Sequence, residues 1–433
     1  MTGRPSEEES DPRARPENLR EAYRVLGLLF VIFVINFADR HVLFILSEPI
    51  KRDLSLTDTQ VGLLSGAFAL FYVTAGLPIA RWADTGSRAS VISLGMAVWS
   101  ALTVVCGFAR NFPQLLAARV GVGIGEAACT PAAHSILSDL FPTSHRGRAF
   151  AIYGMGGSIG GMVGIFVGGH MADLFDWRVA FFVMGVPGLL LALVARYALP
   201  DPPRTARGTT SVSETVRFFW SQRALRHLLV GSALHAFAII GVSAFNSMFF
   251  IRVHGLSTGQ TATIMTLMAL FGTTAGSYAG GLLTDRFGER DLRWYLWLPA
   301  IATAISIPFS GAYYFVPVTT LAALFGGLAS GLGSFYSGPA AAMTQALVPS
   351  SMRAQASAAF LLFNSLVGMG LGPIAVGAIS DRLEPTLGAE SLRYALLLVC
   401  VTNAWAAVHF TLGAKTLREE VSATRALEAA IDA

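Results

Sequence analysis

Three consecutive ionisable residues, Asp39, Arg40 and His41, interrupt an otherwise apolar run from about residue 22 to residue 46. A run of this length can span a bilayer, which requires about 20 residues. An ionisable side chain at membrane depth costs about 2.5–3.5 kcal/mol on insertion scales, so such residues usually face a protein or water-filled interior. The three residues therefore indicate either a site that handles charge or a buried ion pair that fixes helix packing.

A second pair of intramembrane charges lies in another apolar segment, at Arg119 and Glu126. At a rise of 1.5 Å per residue, Asp39 and Arg119 both lie about 10 Å from the outer ends of their segments, and Glu126 lies two turns deeper on the Arg119 face. We predict that Asp39 and Glu126 are proton-coupling acids, since a buried carboxylate binds a proton more readily when its arginine partner moves away. We expect Asp39 to engage Arg119, which leaves Arg40 to meet an anionic head group. A static network that joins two helices is the alternative.

The composition places these charges in a membrane protein. The chain has 433 residues, of which 53% are hydrophobic and 13% charged, whereas soluble domains carry about 25% charged residues. No removable signal peptide is recognisable. The net charge of +4 gives no indication of a nucleic-acid partner, and three scattered cysteines give neither a metal site nor a disulfide framework.

Twelve apolar segments follow a polar tail that we expect to be disordered. Basic residues are concentrated in the connections on the side of both termini, which predicts that both termini are cytoplasmic and that the protein lies in the cell (inner) membrane. The segments run approximately over 22–46, 59–80, 89–108, 113–138, 148–172, 178–199, 226–250, 259–283, 293–312, 317–346, 354–379 and 391–413.

The two halves of the chain repeat each other. Gly123 is followed by Pro131 and Gly331 by Pro339, an interval of eight residues in both halves. A small residue, three others and an aspartate close the second and third segments of each half, at Ala80/Asp84, Gly169/Asp173, Gly281/Asp285 and Gly377/Asp381. Alternation of these motifs between the two membrane faces indicates four three-helix units with inverted neighbours.

Twelve segments in two related halves, joined by a basic connection, resemble the major facilitator superfamily. Its loop after the second helix reads roughly G-x-x-x-D-R-x-G-R; residues 80–88 read A-R-W-A-D-T-G-S-R, so Asp84 and Arg88 match. The copy at residues 281–288 matches better. The resemblance implies an all-α membrane protein with twelve transmembrane helices in two six-helix bundles related by pseudo-twofold symmetry. It also implies a cytoplasmic gate of surface ion pairs at Asp84, Arg88, Asp285 and Arg286.

This resemblance also predicts the domain organisation. The expected parts are a cytoplasmic disordered tail (1–21), an N-terminal six-helix bundle (22–199), a cytoplasmic linker (200–225), a C-terminal six-helix bundle (226–413) and a cytoplasmic amphipathic tail (414–433). Glycine stripes in the second, fifth, eighth and eleventh helices let backbones approach closely. By resemblance, helices 5 and 8, and helices 2 and 11, are the contacts between halves; sliding and static packing both require small residues.

Within the superfamily, the runs N-F-A-D-R (36–40) and R-V-G-V-G-I-G-E-A (119–127) resemble the Spinster family. Animal members export or move sphingosine-1-phosphate and related lysolipids. The resemblance implies a monomeric, proton-coupled secondary active transporter that works by alternating access on an amphipathic lipid-like substrate, with the proton gradient as driving force and no cofactor. The alternative is a proton-coupled carrier of a small organic anion or drug, with Arg40 and Arg119 as anion ligands.

The second half carries no intramembrane acid or base except His235. A charged wall opposite an aromatic wall fits an amphipathic ligand, although each aromatic side chain is also compatible with ordinary core or lipid packing. The histidines, including His41 and His134, are more typical of hydrogen-bonded interior residues than of proton carriers. The expected cavity-lining residues are Asn36, His41, Tyr153, His235, Phe245, Asn246, Phe249, Phe335, Tyr336, Phe363 and Asn364.

Two other classes of protein are disfavoured. The sequence contains no nucleophile elbow, no HExxH motif and no phosphate-binding loop, and its connections are too short for a folded catalytic domain, so we do not expect an enzyme. Inverted repeats with charges at the membrane midplane favour alternating access over the continuous pore of a channel.

Overall fold

Apolar segments in lipid must pair their own backbone groups, which a helix does within a single segment. The structure, a computed structural model that describes residues 15–203 and 212–432, is accordingly helical over most of its length. The first helices are α1 (Pro16–Leu54), α2 (Asp58–Thr85), α3 (Arg88–Cys106), α4 (Phe112–Glu126), α5 (Cys129–Leu140), α6 (Thr143–Leu174) and α7 (Trp177–Ala198).

The remaining helices begin at Val212. Two π-helical segments, Ala269–Thr274 and Asn364–Leu371, connect α11 to α12 and α16 to α17. The helices are α8 (Val212–Ser221), α9 (Arg223–Ser243), α10 (Asn246–His254), α11 (Thr258–Met268), α12 (Ala275–Gly288), α13 (Trp294–Phe315), α14 (Thr319–Gly333), α15 (Ser337–Ala346), α16 (Arg353–Phe363), α17 (Gly372–Leu387) and α18 (Ser391–Asp432).

Each apolar segment predicted from the sequence falls on one of these helices or on consecutive ones. Eight stretches of the described chain are long and apolar enough to cross a membrane, which confirms an all-α membrane protein. The predicted disordered tail is wrong from Pro16 onward, where α1 begins; its residues 1–14 lie outside the described part of the chain. Of the predicted linker, residues 204–211 also lie outside it, and α8 follows them.

The chain divides into two compact units. The first unit contains the described residues up to Leu54 and the chain from Ala67 through α7, and the second contains Ser55–Gly66 and the helices from α8 onward. The start of α2 therefore packs with the second unit. Gly62 and Gly66 allow this, because a Cβ at either position would collide with backbone atoms of Pro373 or Gly370 near the start of α17. The predicted contact between helices 2 and 11 is present at these glycines.

The glycine stripe of α6 faces α1 inside the first unit. A Cβ at Gly160 would collide with the carbonyl oxygen of Val34, and a Cβ at Gly164 would collide with that of Ala38. Close backbone approach of this kind replaces the large side chains that otherwise fill a helix interface. The glycines of this stripe therefore serve packing within the unit, and the expected contact of the fifth helix with the eighth stays a prediction.

The stripe of the eighth helix has the same role in the second unit. A Cβ at Gly272 would meet the carbonyl oxygen of Gly327, and one at Gly276 would meet that of Gly331, so α12 and the π-helical segment before it pack closely on α14. This stripe, too, packs within its own unit rather than between the halves.

We predict that Gly164→Ala lowers the free energy of unfolding by about 1–3 kcal/mol, because the added methyl group overpacks the α1–α6 interface. Gly154→Ala in the same helix is the matched control, since a Cβ there meets no atom within 4 Å. Thermal unfolding of the two variants in detergent measures the difference. Equal melting temperatures would contradict close packing at Gly164.

The C-terminal segment continues α18 and docks on the second unit. Glu420 accepts hydrogen bonds from the backbone N–H groups of Arg223 and Ala224 at 3.0 and 2.9 Å, which caps the start of α9. Glu428 accepts a hydrogen bond from the backbone N–H of Ser350 at 2.6 Å. These carboxylates satisfy backbone donors that helix geometry leaves unpaired. The predicted amphipathic tail is thus a helix whose acidic residues bind neighbouring backbone.

Candidate functional site

A buried ion pair joins α1 to α4 in the first unit. The guanidinium of Arg40 donates to Oε2 of Glu126 from Nη2 at 2.7 Å and from Nε at 3.1 Å. The Glu126 side chain is fully buried and that of Arg40 is 11% exposed. Asn36, one turn before Arg40 on α1, is buried beside the same carboxylate. Both helices therefore contribute charged groups to one interior cluster.

The pairing within the cluster differs from the expected one. Asp39 accepts a hydrogen bond from the hydroxyl of Thr103 on α3 at 2.5 Å, and Arg119 exerts only a longer-range attraction on it. Arg40, expected to be available to a head group, is the arginine that is engaged, through Glu126. The expected Asp39–Arg119 pair is therefore wrong, because α1 directs the two successive side chains Asp39 and Arg40 toward different neighbouring helices.

Several polar atoms of this cluster have no hydrogen-bond partner within the described chain. They are Oδ1 of Asp39, Oε1 of Glu126, and Nε and Nη1 of Arg119, and all are buried. Unpaired buried polar atoms cost roughly 1–3 kcal/mol each, and more when charged. A cluster built in this way can take up a proton on a free carboxylate oxygen and can bind an anion through the unpaired N–H groups of Arg119.

Two aromatic residues of α2 complete the cluster, and sequence reasoning missed both. The ring of Phe68 has the guanidinium of Arg40 at 5.1 Å and that of Arg119 at 5.0 Å from its centroid. Tyr72 stacks on Phe68 and lies 4.9 Å from the Arg40 guanidinium. Such contacts stabilise desolvated cations by about 2 kcal/mol. The four-residue spacing of Phe68 and Tyr72 places both rings on one face of α2, which could have indicated a functional surface but is equally typical of core packing.

Other predicted lining residues of the first unit are core residues. His41 lies 2.9 Å through Nδ1 from the carbonyl oxygen of Phe37, one turn back on its own helix, and packs against Gly161 of α6. Tyr153 is buried, and its ring stacks on Phe33 with a centroid separation of 4.3 Å. Both side chains fill the α1–α6 interface.

The predicted aromatic wall of the second unit is also largely interior. Phe245 and Phe249 are fully buried. Phe249 lies edge-on to Tyr313 and Tyr314, each at 5.2 Å, and Asn246 accepts a hydrogen bond from the Tyr314 hydroxyl at 3.1 Å. These residues stabilise the packing of α10 against α13. Phe245 and Phe249 are therefore core residues.

His235 is fully buried on α9 and joins two other helices. Its Nε2 lies 2.7 Å from the carbonyl oxygen of Gly333, and its Nδ1 lies 2.8 Å from the side-chain amide of Asn403. Tyr336 packs edge-on against the imidazole at 4.5 Å. Because both ring nitrogens have partners, His235 is a structural link between α9, α14 and α18.

The remaining candidates of the second unit are more accessible. Phe335 is partly buried against Gly280, Phe363 is 44% exposed, and Oδ1 of Asn364 has no hydrogen-bond partner in the described chain. Asn364 begins the π-helical segment of the eleventh predicted helix. Such segments occur frequently at functional sites. Across the described residues, no group of three or more His, Cys, Asp or Glu is placed to hold a metal ion.

The predicted cytoplasmic gate is not a set of surface ion pairs. Arg88 is 1% exposed and binds Asp139 of α5 at 2.5 Å and Asp201 after α7 at 2.9 Å. Asp84 and Asp285 are exposed, and Asp285 accepts a hydrogen bond from Tyr295. Arg88 therefore braces one end of the first unit, and the surface-pair interpretation is wrong for it. A gating role for these residues and Arg286 stays a prediction.

At the N-terminus of α2, the repeated motif Gly377/Asp381 binds the first residues of the helix through Asp381. Oδ1 and Oδ2 of Asp381 accept hydrogen bonds from the backbone N–H groups of Asp58 and Thr59 at 2.9 and 2.8 Å. The carboxylate of Asp58 receives a bidentate pair of hydrogen bonds from Arg252 at 2.8 and 3.0 Å, and a third from Ser380 at 2.7 Å. We call these residues the Asp58 latch. It holds the first turns of α2 against α10 and α17.

We predict that Asp381→Ala speeds amide exchange of Asp58 and Thr59 at least tenfold, because each lost hydrogen bond to a charged group contributes about 1.5–3 kcal/mol. Glu384→Ala is the control, since it removes an exposed carboxylate one turn further along α17. Hydrogen–deuterium exchange of the α2 peptide measures the effect. Unchanged exchange in Asp381→Ala would show that the latch does not hold the helix start.

Helical units with intramembrane charges and repeated small-xxx-Asp motifs define a membrane transporter rather than an enzyme. The sequence model of the Major Facilitator Superfamily matches residues 28–373, and the chain belongs to this family.

Three individual proteins are similar to this chain. An MFS-type efflux pump of Mycolicibacterium smegmatis is 33% identical over 413 residues, covering 93% of this chain and 95% of that protein. A probable L-galactonate transporter of Escherichia coli is 34% identical over 166 residues, covering 38% of this chain and 37% of that protein. The crystal structure of a bacterial homolog of the human lysosomal transporter Spinster, inward-facing and unoccupied, matches with a TM-score of 0.84 and 32% identity, covering 92% of this chain and 98% of that one. The predicted resemblance to the Spinster family is confirmed.

Proposed function

We propose that this protein is a proton-coupled secondary active transporter of an amphipathic, lipid-like substrate with an anionic head group, working by alternating access. The observation that carries the proposal is the interior cluster of two carboxylates and two guanidiniums in the first unit, in which Asp39 and Arg119 keep unpaired polar atoms. We further propose a monomer in the cell (inner) membrane with both termini cytoplasmic.

Charge balance supplies the coupling. Asp39, Glu126, Arg40 and Arg119 together are neutral when all are ionised. An anion that binds the unpaired N–H groups of Arg119 leaves the cluster with one excess negative charge, which is costly in a desolvated interior. Uptake of one proton by a carboxylate restores neutrality, so anion binding and proton binding favour each other.

Asp39 is the better proton acceptor of the two acids. Glu126 is held ionised by both Nη2 and Nε of Arg40, and protonating it would leave a buried guanidinium without its partner. Asp39 instead has the hydroxyl of Thr103, which can donate to a carboxylate or accept from a carboxylic acid after rotation. Protonation of Asp39 therefore keeps its hydrogen bond with Thr103 and leaves the Arg40–Glu126 pair intact.

We predict that Asp39→Asn abolishes accumulation driven by a pH gradient while substrate binding continues, because the amide keeps the side-chain shape but cannot exchange a proton. Glu419→Gln, which removes an exposed carboxylate on α18, is the control and keeps coupling. Uptake of a labelled anionic lysophospholipid into liposomes, with and without an imposed pH gradient, measures both variants. Full gradient-driven accumulation by a folded Asp39→Asn protein would contradict the coupling role.

A lipid-like substrate fits the unequal charge distribution of the two units. The charged cluster lies in the first unit, whereas the described interior of the second unit offers mainly aromatic rings and the neutral groups of His235, Asn246 and Asn403. The charged cluster of the first unit suits an anionic head group. The likeness to the Spinster homolog supports this class of substrate.

A second candidate is proton-coupled transport of a small organic anion. It is favoured by the unpaired Nε and Nη1 of Arg119, each of which can donate a hydrogen bond to an anionic oxygen. The partial likeness to a probable L-galactonate transporter supports it. Both candidates share the recognition of one anionic group by Arg119 and differ in the rest of the substrate.

We predict that Arg119→Gln weakens anion binding at least tenfold, because a hydrogen bond to a charged group contributes about 1.5–3 kcal/mol. Arg110→Gln, an exposed arginine just before α4, is the control. Thermal shifts with lysophosphatidylglycerol and with galactonate compare the two substrate classes. Stabilisation by galactonate alone would favour the small-anion candidate, and equal binding by both variants would remove Arg119 from the site.

The two ends of α2 support alternating access. The Asp58 latch is engaged at one end, whereas the described structure records no salt bridge for Asp84 at the other. We propose that the Asp58 latch and the predicted cytoplasmic gate at Asp84 engage alternately, one closing as the other opens, with each change of access. Because 1.4 kcal/mol already changes an equilibrium tenfold, a few such bonds are sufficient to bias two nearly balanced states.

A further inference from the structure

A groove runs between α13 and α18 on the surface of the second unit, and no residue of the charged cluster lines it. It has a volume of about 460 Å³. Its floor consists of alanines from both helices, among them Ala300, Ala304, Ala404 and Ala407. Methyl side chains at these four positions leave the space that larger residues would fill. Lys415 lies at one end of the groove.

The residues beside the groove are those of a lipid-facing surface. Ile301 is 46% exposed, Val408 52% and Trp405 61%. From Ala404 to Lys415 the groove follows α18 for eleven residues, or about 16 Å. Half of a hydrocarbon core of about 30 Å is about 15 Å. The groove therefore has the length of one acyl chain in one leaflet.

The Lys415 end carries excess positive charge. Asp291, just before α13, pairs with Arg293 at 2.8 Å and with Arg418, one turn beyond Lys415, at 2.7 Å. The hydrogen bonds from Arg293 lower the pKa of Asp291 to about 2, so this carboxylate is ionised at any physiological pH. Asp291, Arg293 and Arg418 together carry one excess positive charge, and Lys415 is the exposed cation at the groove itself. With Glu419, the exposed carboxylate one turn beyond Lys415, the net charge of the five residues is still positive.

Aromatic side chains place this end at the membrane surface. The guanidinium of Arg293 stacks on the ring of Trp297, 4.4 Å from its centroid, and Trp294 packs edge-on against Trp297. Tryptophan is enriched at the level of lipid head groups. Basic pockets between transmembrane helices at this level are suited to phosphate-bearing head groups.

We propose that the α13–α18 groove binds an anionic phospholipid, with one acyl chain along the alanine floor and the head-group phosphate at Lys415. The apolar groove alone accepts any acyl chain; the positive end is what selects an anionic lipid over a zwitterionic one. This site is independent of the proposed transport substrate, since it faces the bilayer and shares no residue with the charged cluster.

The test uses the purified full chain and native mass spectrometry with phosphatidylglycerol and phosphatidylcholine of identical acyl chains. We expect phosphatidylglycerol to bind about fivefold more tightly, and Lys415→Gln to remove this preference. Arg425→Gln, which removes an exposed charge further along α18, keeps the preference. Ala404→Leu, which fills the groove on an exposed face, lowers the binding of both lipids.

Retention of the full preference by Lys415→Gln would overturn the proposal, as would unchanged lipid binding by Ala404→Leu. Equal affinity of the wild-type protein for the two lipids would also overturn it. A dimer that forms through this face and excludes lipid would show that a second copy of the chain is the occupant. Melting temperatures establish that each variant is folded, and Ala404→Leu tests the groove independently of charge.

Discussion

The buried ion pair between Arg40 and Glu126 is the interaction on which the first unit depends. Breaking such a pair by removing one partner costs about 3–5 kcal/mol, because the remaining charge is left desolvated. The pair fixes α1 against α4, and Phe68 and Tyr72 place α2 over the same guanidinium. With this geometry fixed, Asp39 and Arg119 are the members of the cluster that remain available to a proton and an anion.

Close helix packing makes this arrangement rigid. The glycines of α6 bring its backbone against α1, which carries Asp39 and Arg40, and the glycines before and within α12 bring it against α14 in the second unit. Small residues at these interfaces replace the side-chain interlock that would otherwise determine helix spacing. Each unit therefore holds its polar groups in fixed positions, and the Asp58 latch adds the start of α2 to the second unit.

Much of the fold was predictable from particular patterns. The apolar segments are long enough to span a bilayer as helices, and a single segment can pair its own backbone groups in lipid only as a helix, so their conformation follows directly. The repeated motif singled out Asp381 in the sequence, and in the structure this residue caps the N-terminus of α2. The partners Asp58 and Arg252 were not predictable, since they are nearly two hundred residues apart and belong to no motif.

The amino-acid sequence is sufficient to show which residues carry charge in the membrane and at what depth, because apolar segment length and helix rise determine both. It also determined the family, through residues 28–373. The partners of these charged residues follow from tertiary packing: Arg40 forms an ion pair with Glu126, and Asp39 accepts a hydrogen bond from Thr103. Successive residues of a helix point about 100° apart, so the rotation of α1 about its axis decides which neighbouring helix each side chain faces. Rotation is set by packing against α6, and that packing involves residues distant in the chain.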